Sequence, residues 1–224
     1  MHDVDIYEDV SIGYGFERYG KAPHPLVQTY GSLLPETEFG ENLKDIMVGL
    51  GYTELTTLTL SNKREEFVIS GLPACETVDV TNPITEDHTC LRAYLMPSLM
   101  RILRHNKHRD LPQQIFEVGF VVRDQKTVLH LCALKTASKT SFTEAKSLTE
   151  AVLRELNVKY ALTPCDYPTF IPGRGAAVMT DGRQLGVFGE LAPQVITDFE
   201  MTHPVLMLEL DLSGLIAART GKLI

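Results

Sequence analysis

Two apolar segments of strand length, residues 115–122 and 127–134, flank the short polar break Asp124-Gln125-Lys126, and this pairing constrains the fold more than any other pattern in the 224 residues. Such a pattern predicts an antiparallel hairpin. The stretch feeding into it reads in a fixed order from Val78 to Arg123. A strand leads to an Asn82-Pro83 turn, then to a polar loop ending in Leu91-Arg92, then to an amphipathic helix over 94–105. In that helix Leu95, Leu99, Ile102 and Leu103 are expected to face inward, with Arg101 and Arg104 outward.

Around this block the periodicity predicts further elements. A short helix over 4–14 is stopped by Gly13 and Gly15. Pro23 and Pro25 mark an extended linker over 17–34. A helix opens at Pro35-Glu36-Thr37-Glu38 and places Leu43, Ile46, Met47 and Leu50 on one face before Gly51. Residues 53–60, 67–70 and 76–80 read as strands. A helix over 143–156 follows the hairpin, then strand candidates at 159–162, 176–180, 184–190 and 204–212, with a short helix over 193–199. Asp181-Gly182 is a tight-turn signal between two of these strands. Hairpin-linked strands with helices grouped between them argue for an α+β fold with a largely antiparallel sheet. No G-x-G-x-x-G or P-loop pattern is present to suggest a doubly wound alternative.

The outer bounds agree with one large domain or one domain plus a fragment. An apolar share of 44% and a charged share of 22% fit an ordinary globular chain. Lys and Arg number 21 against 29 Asp and Glu, a formal net charge of −8, so any contact with a polyanion must be local. Cys75, Cys90, Cys132 and Cys165 have no zinc-ligand spacing and read as reduced thiols of a cytosolic protein. No apolar run approaches the roughly 20 residues of a membrane span, and no signal region opens the chain. The abrupt start at Met1 and stop at Ile224 read as those of a fragment of a longer chain.

Few residues carry a chemical signature. Asp5, Glu8 and Asp9 stand at i, i+3 and i+4, which on a helix gathers three carboxylates on one face. Such oxygens suit a hard cation such as Mg²⁺, and they equally suit the positive end of a helix dipole. His105 and His108, with Arg101, Arg104, Lys107 and Arg109, form a basic cluster at a helix end. That cluster could meet an RNA backbone or a partner's acidic surface, and a solvated helix C-terminus favouring positive charge explains it as well. Gly173-Arg174-Gly175-Ala176 precedes a strand and reads as a backbone turn, not a phosphate cradle.

A family resemblance runs through the chain in order. Asp5-Ile6-Tyr7-Glu8-Asp9-Val10, Gly49-Leu50-Gly51-Tyr52-Thr53-Glu54, Asn82-Pro83-Ile84-Thr85-Glu86 with Leu91-Arg92, Leu95-Met96-Pro97-Ser98-Leu99 and Phe116-Glu117-Val118-Gly119 are the first members of the series. Phe142-Thr143-Glu144-Ala145-Lys146, Pro172-Gly173-Arg174-Gly175-Ala176, Leu185 to Pro193 and Glu209-Leu210-Asp211-Leu212 continue it. The series resembles the β-subunit of phenylalanyl-tRNA synthetase, of the archaeal and eukaryotic kind. The resemblance implies a class II aminoacyl-tRNA synthetase-like antiparallel sheet flanked by helices over residues 35–224, with residues 1–16 as the end of a B5-like domain and 17–34 as linker.

It also implies a non-catalytic role. The class II pattern places at Arg123 an arginine that clamps the adenylate phosphate, followed by a carboxylate two positions on, but position 125 is Gln. Residues 184–218 contain no Lys or Arg, where a second phosphate-binding arginine belongs. No residue is therefore assigned a catalytic or cofactor-binding role. Mg²⁺ at Asp5, Glu8 and Asp9 would lack a fourth acid that the family places six residues before Asp5. The resemblance further implies a cytoplasmic assembly with a catalytic α-subunit that uses ATP, phenylalanine and tRNA(Phe), as a heterotetramer of two α- and two β-subunits. An independent carboxylate-adenylating ligase of class II type, or an assembly module outside translation, are the alternatives.

Overall fold

The computed structural model describes residues 2–19 and 30–220, with side chains described up to Ile216. They form two compact units, divided between Leu33 and Leu34. Residues 20–29, the central part of the expected linker including Pro23 and Pro25, lie outside the described residues.

The first unit is built on helix α1, Asp3–Tyr14. His2 and Asp5 close a capping box at its start: His2 Nδ1 accepts from the Val4 N–H, and the His2 N–H donates to Asp5 Oδ2 at 2.6 Å. Every residue of the helix except Ser11 is exposed.

The second unit is a seven-stranded sheet with helices on both faces. Its elements run α2 (Pro35–Gly49), β1 (Thr53–Glu54), β2 (Leu60–Ser61), a π-helical turn (Arg64–Ile69), β3 (Cys90–Leu91), α3 (Met96–His105), β4 (Gln113–Arg123) and β5 (Lys126–Thr136). Then follow α4 (Phe142–Glu155), β6 (Ala161–Pro164), β7 (Phe170–Thr180), β8 (Arg183–Leu191), α5 (Pro193–Asp198), β9 (Val205–Asp211) and α6 (Ser213–Thr220). The strand order is β1-β4-β5-β9-β8-β7-β6, and only the β1–β4 pair is parallel. The expected hairpin is β4–β5, in register from Gln113↔Thr136 to Arg123↔Lys126. Asp124 and Gln125 turn it with φ of 48° and 62°, the left-handed pair that a two-residue loop between twisted strands requires.

Period-two alternation divides the core into two layers. Leu129, Leu131 and Ala133 of β5 and Leu206, Leu208 and Leu210 of β9 pack with α2 and α4 through Leu43, Met47, Leu148 and Val152. On the opposite face Cys132 and Leu134 of β5 and Val205 and Met207 of β9 pack with α3 through Met96, Leu99, Met100 and Leu103. Leu99 and Leu103 are fully buried, each removing about 1.5–3 kcal/mol worth of apolar surface from water. The inward set of α3 differs from expectation in one place: Met100 is buried and Ile102 only half-buried.

Three strand assignments fail between residues 53 and 80. Residues 53–60 pair only at Thr53–Glu54 and at Leu60 in a small two-stranded ribbon with β3. Residues 67–70 lie in and just after the π-helical turn, and residues 76–80 contribute one bridge, Asp79↔Cys90. Threonine and leucine favour a strand locally, yet this stretch wraps the end of α3, so tertiary packing overrides propensity. The glycines and arginine at 173–175 lie inside β7, where the pairing with β8 shifts register between Phe170 and Gly175.

Candidate functional site

The start of α3 carries four successive backbone N–H groups, those of Ala93, Tyr94, Leu95 and Met96, and its own N-cap residue supplies no side-chain partner. Two glutamates distant in sequence fill the gap. Glu66 Oε2 accepts from Ala93 and Tyr94 at 3.0 Å each, while Glu209 accepts from Leu95 at 2.9 Å and Met96 at 3.1 Å. Both are buried, at 0% and 3% exposure. A helix N-terminus is an anion site, and here the protein's own carboxylates occupy it.

Burial drives the Glu66 carboxyl up to about 7, against the opposing pull of Ser61 and of the two backbone donors. Glu209 also bonds His130 Nδ1 at 3.0 Å. A carboxylate has no proton to donate, so Nδ1 carries the hydrogen, and Nε2 of a neutral ring is then an acceptor. The Cys132 thiol, opposite Glu209 in register, is pushed well up by burial and then by this carboxylate.

Beside this network the sheet face opens into a cavity of about 130 Å³, lined by Leu72, Pro73, Tyr94, Arg123, His130, Tyr167, Gln184 to Val187, Met207, Glu209 and Asp211. Arg123 ends β4 at its wall. Its guanidinium carbon lies 4.7 Å from the centroid of the Tyr94 ring, and its Nη2 donates to the Tyr94 hydroxyl at 3.3 Å. That hydroxyl donates in turn to the Pro73 carbonyl at 2.9 Å. Burial opposes the Arg123 charge, but Tyr94, Cys75 and Glu209 around it more than offset burial and raise its pKa. Gln125, where the family pattern has a carboxylate, donates from its amide to Glu76 Oε1 at 2.8 Å.

An engineered apolar cavity of about 150 Å³ holds one benzene ring, whereas sites for drug-sized ligands run from about 300 Å³ upward. The hollow beside Arg123, at about 130 Å³, is smaller than either. A larger groove of about 450 Å³ near α5 is mainly apolar, and the Glu190 carboxylate in it is held by Arg174 at 3.2 Å. Neither hollow brings a pair of cations together.

The remaining motif residues serve packing. Arg92 and Glu117 form a buried pair at 2.9 Å, both nearly inaccessible, and Thr57 bridges them by donating to Glu117 at 2.6 Å and accepting from Arg92 at 2.7 Å. Gly119 is required beside them, since a Cβ there would stand 2.7 Å from Arg92 Nη2 and 2.8 Å from Glu117 Oε1. At the end of α3, Arg101 pairs with Glu65 and Arg104 with Glu200, and the Arg109 side chain bonds Asn106, so half of the basic cluster is spent on intramolecular contacts.

A family model described as the phenylalanyl tRNA synthetase beta chain CLM domain matches residues 23–212. The chain belongs to this family. Phenylalanine–tRNA ligase beta subunits of Archaeoglobus fulgidus and Methanothrix thermoacetophila are each 42% identical to it, over 100% and 95% of the chain, and that of Methanocaldococcus jannaschii is 36% identical over 94%. The chain spans about two fifths of the length of these curated relatives: 41%, 39% and 39%. Among solved structures, a pyrrolysyl tRNA synthetase from Desulfitobacterium hafniense superimposes with a TM-score of 0.68 at 19% identity, covering 83% of this chain and 69% of that one. The α+β fold of the CLM module is thus that of a class II synthetase.

The carboxylates of Asp5, Glu8 and Asp9 lie at i, i+3 and i+4 on the exposed helix α1. Asp5 is engaged by the His2 N–H, and among the described residues no three His, Cys, Asp or Glu side chains converge on a point that could hold a metal. Sequence reasoning missed His130, Glu209, Glu66, Tyr167 and Gln184. The available signal was a glutamate or histidine on the inward face of an otherwise apolar strand, as in Met207-Leu208-Glu209-Leu210, where an acid with no partner would be prohibitive.

Proposed function

We propose that this CLM module is a structural, non-catalytic part of the β-subunit of a phenylalanine–tRNA ligase, and that it supports assembly around an α-subunit that carries the ATP-dependent charging of tRNA(Phe). The observation that carries this reading is the occupancy of the would-be nucleotide site. Its single arginine, Arg123, is bonded to and stacked on Tyr94, and the helix end beside it is filled by Glu66 and Glu209. Stabilising charge on a transferring phosphate needs cations or metal set against it, and Glu66 and Glu209 already occupy the helix N–H groups that could otherwise meet a phosphate.

The relatives named phenylalanine–tRNA ligase beta subunits support the partner, and the module would act in the cytoplasm within a heterotetramer of two α- and two β-subunits. Among the described residues no helix is long and apolar enough to cross a membrane. Exposed apolar side chains such as Leu58, Val68 and Phe120 supply surface for association. The alternative of an independent adenylating ligase has no specific observation in its favour.

Reconstitution tests the reading. An α/β assembly carrying Arg123→Met in the β-subunit is expected to charge tRNA(Phe) within roughly twofold of the parent rate. Loss of a phosphate-clamping arginine would instead cost on the order of a hundredfold or more, and that loss in an intact assembly would refute the proposal.

A further inference from the structure

The cavity beside Arg123 is small, at about 130 Å³, yet it retains the marks of a ligand site. His130 is 2% exposed and lines the cavity, and its almost wholly covered Nε2 has no hydrogen-bond partner among the described residues. With Nδ1 donating to Glu209, Nε2 of the neutral ring offers a lone pair that calls for a hydrogen-bond donor. Asp211 is the cross-strand partner of His130, so the two side chains stand on the same sheet face with Cβ atoms roughly 5 Å apart. Asp211 Oδ1 accepts from the Ser213 N–H at 2.9 Å. The charges lining the hollow are the carboxylates of Glu209 and Asp211 against the guanidinium of Arg123, which with a neutral His130 ring leaves one negative charge in excess. Tyr167 and Gln184, bonded to each other, add polar groups to the wall, and Leu72, Val187, Met207 and the ring of Tyr94 supply its apolar part. No cluster suited to a metal exists among the described residues.

We propose that this cavity binds a small primary amine as its ammonium ion, with N–H groups donating to His130 Nε2 and to the Asp211 carboxylate and a short apolar body against Leu72, Val187 and Met207. The ammonium supplies the donor that Nε2 lacks and neutralises the excess negative charge. A volume of about 130 Å³ admits a body of about four or five carbons and no more than about six heavy atoms in all. The proposal is independent of the ligase reading, since binding an amine here requires neither ATP nor an α-subunit.

The test compares two probes with the same carbon skeleton and opposite heads, isobutylamine and isobutyrate, added at fixed pH in phosphate buffer to the full chain labelled with ¹⁵N-histidine. The His130 Nε2 resonance is identified by its loss in His130→Gln. Isobutylamine is expected to move it saturably in the direction of a lone pair accepting a hydrogen bond, and isobutyrate to leave it in place. Asp211→Asn, which keeps the oxygen that receives the Ser213 N–H, is expected to weaken the amine roughly tenfold or more, as loss of a hydrogen bond to a charged group does. The proposal is overturned if isobutylamine produces no saturable shift, which would leave an ordered water as the occupant, or if isobutyrate produces an equal one. It is also overturned if Asp211→Asn binds the amine as tightly as the parent chain. The wild-type comparison of the two probes stands even where a variant fails to fold.

Discussion

The Arg123 guanidinium and the Tyr94 ring are partners: the carbon of one lies 4.7 Å from the centroid of the other, and a hydrogen bond of 3.3 Å joins Nη2 to the hydroxyl. A half-buried cation over an aromatic face gains about 1–2 kcal/mol, so the arginine at the end of β4 is held by the fold itself. Tyr94 also opens α3 and anchors the Pro73 carbonyl. One residue thus joins the hairpin, the helix and the loop before it.

Glu209 should be the most sensitive single position in this network. Glu209→Gln leaves one acceptor oxygen where two backbone N–H groups and His130 converge, and turns an amide N–H₂ toward a donor. The expected cost is about 2–4 kcal/mol, read as a fall in the urea midpoint followed by circular dichroism. A loss below about 0.5 kcal/mol would show that the carboxylate does not hold α3.

Glu66 predicts a pH dependence. Its carboxyl stands at about 7 in the folded chain against 4.5 for the free group, so the folded state binds the extra proton between these values. Stability from this group is full below about pH 4.5 and is lost as pH rises through about 7. The loss is on the order of 3 kcal/mol at one pKa unit per 1.36 kcal/mol. The stability difference between the parent chain and Glu66→Gln, measured by urea unfolding at pH 5 and pH 8, should shrink or reverse toward pH 8. A difference that stays constant or grows with pH contradicts the assignment.

Arg92 and Glu117 predict non-additivity. Arg92→Met leaves the Glu117 charge buried without its ion partner and should cost about 3–5 kcal/mol, whereas Arg92→Met combined with Glu117→Leu should recover much of that loss. Unfolding of the two single variants and the double variant checks it. Strict additivity would mean that the pair is not coupled.

The sequence carried β4, β5, β8, β9 and the second half of β7, whose turns Asp124-Gln125 and Asp181-Gly182 are chemically explicit, but read the first half of β7 as a turn because of its glycines. Helices α2, α3 and α4 were equally legible from apolar spacing. Residues 53–80 were not, because their threonine- and leucine-rich stretches satisfy their backbone through long-range partners such as Glu66 with Ala93 and Thr57 with Glu117. The absence of a second cation was visible as a run without Lys or Arg over 184–218, and Gln125 as a missing carboxylate. The occupation of the site by Glu66 and Glu209 was not visible, since no spacing links positions 66, 93 and 209. Glu209 was noted only as part of a motif, and its role follows from the strand register that sets it against Cys132 and Val187.

The central claim is that a class II fold here encloses a site unable to activate an amino acid. ATP–pyrophosphate exchange with phenylalanine and Mg²⁺, measured on the purified chain without an α-subunit, tests it most directly. The account predicts no exchange above the background of a protein-free control, both for the parent chain and for Arg123→Ala. Exchange that is present in the parent chain and abolished by Arg123→Ala would contradict it.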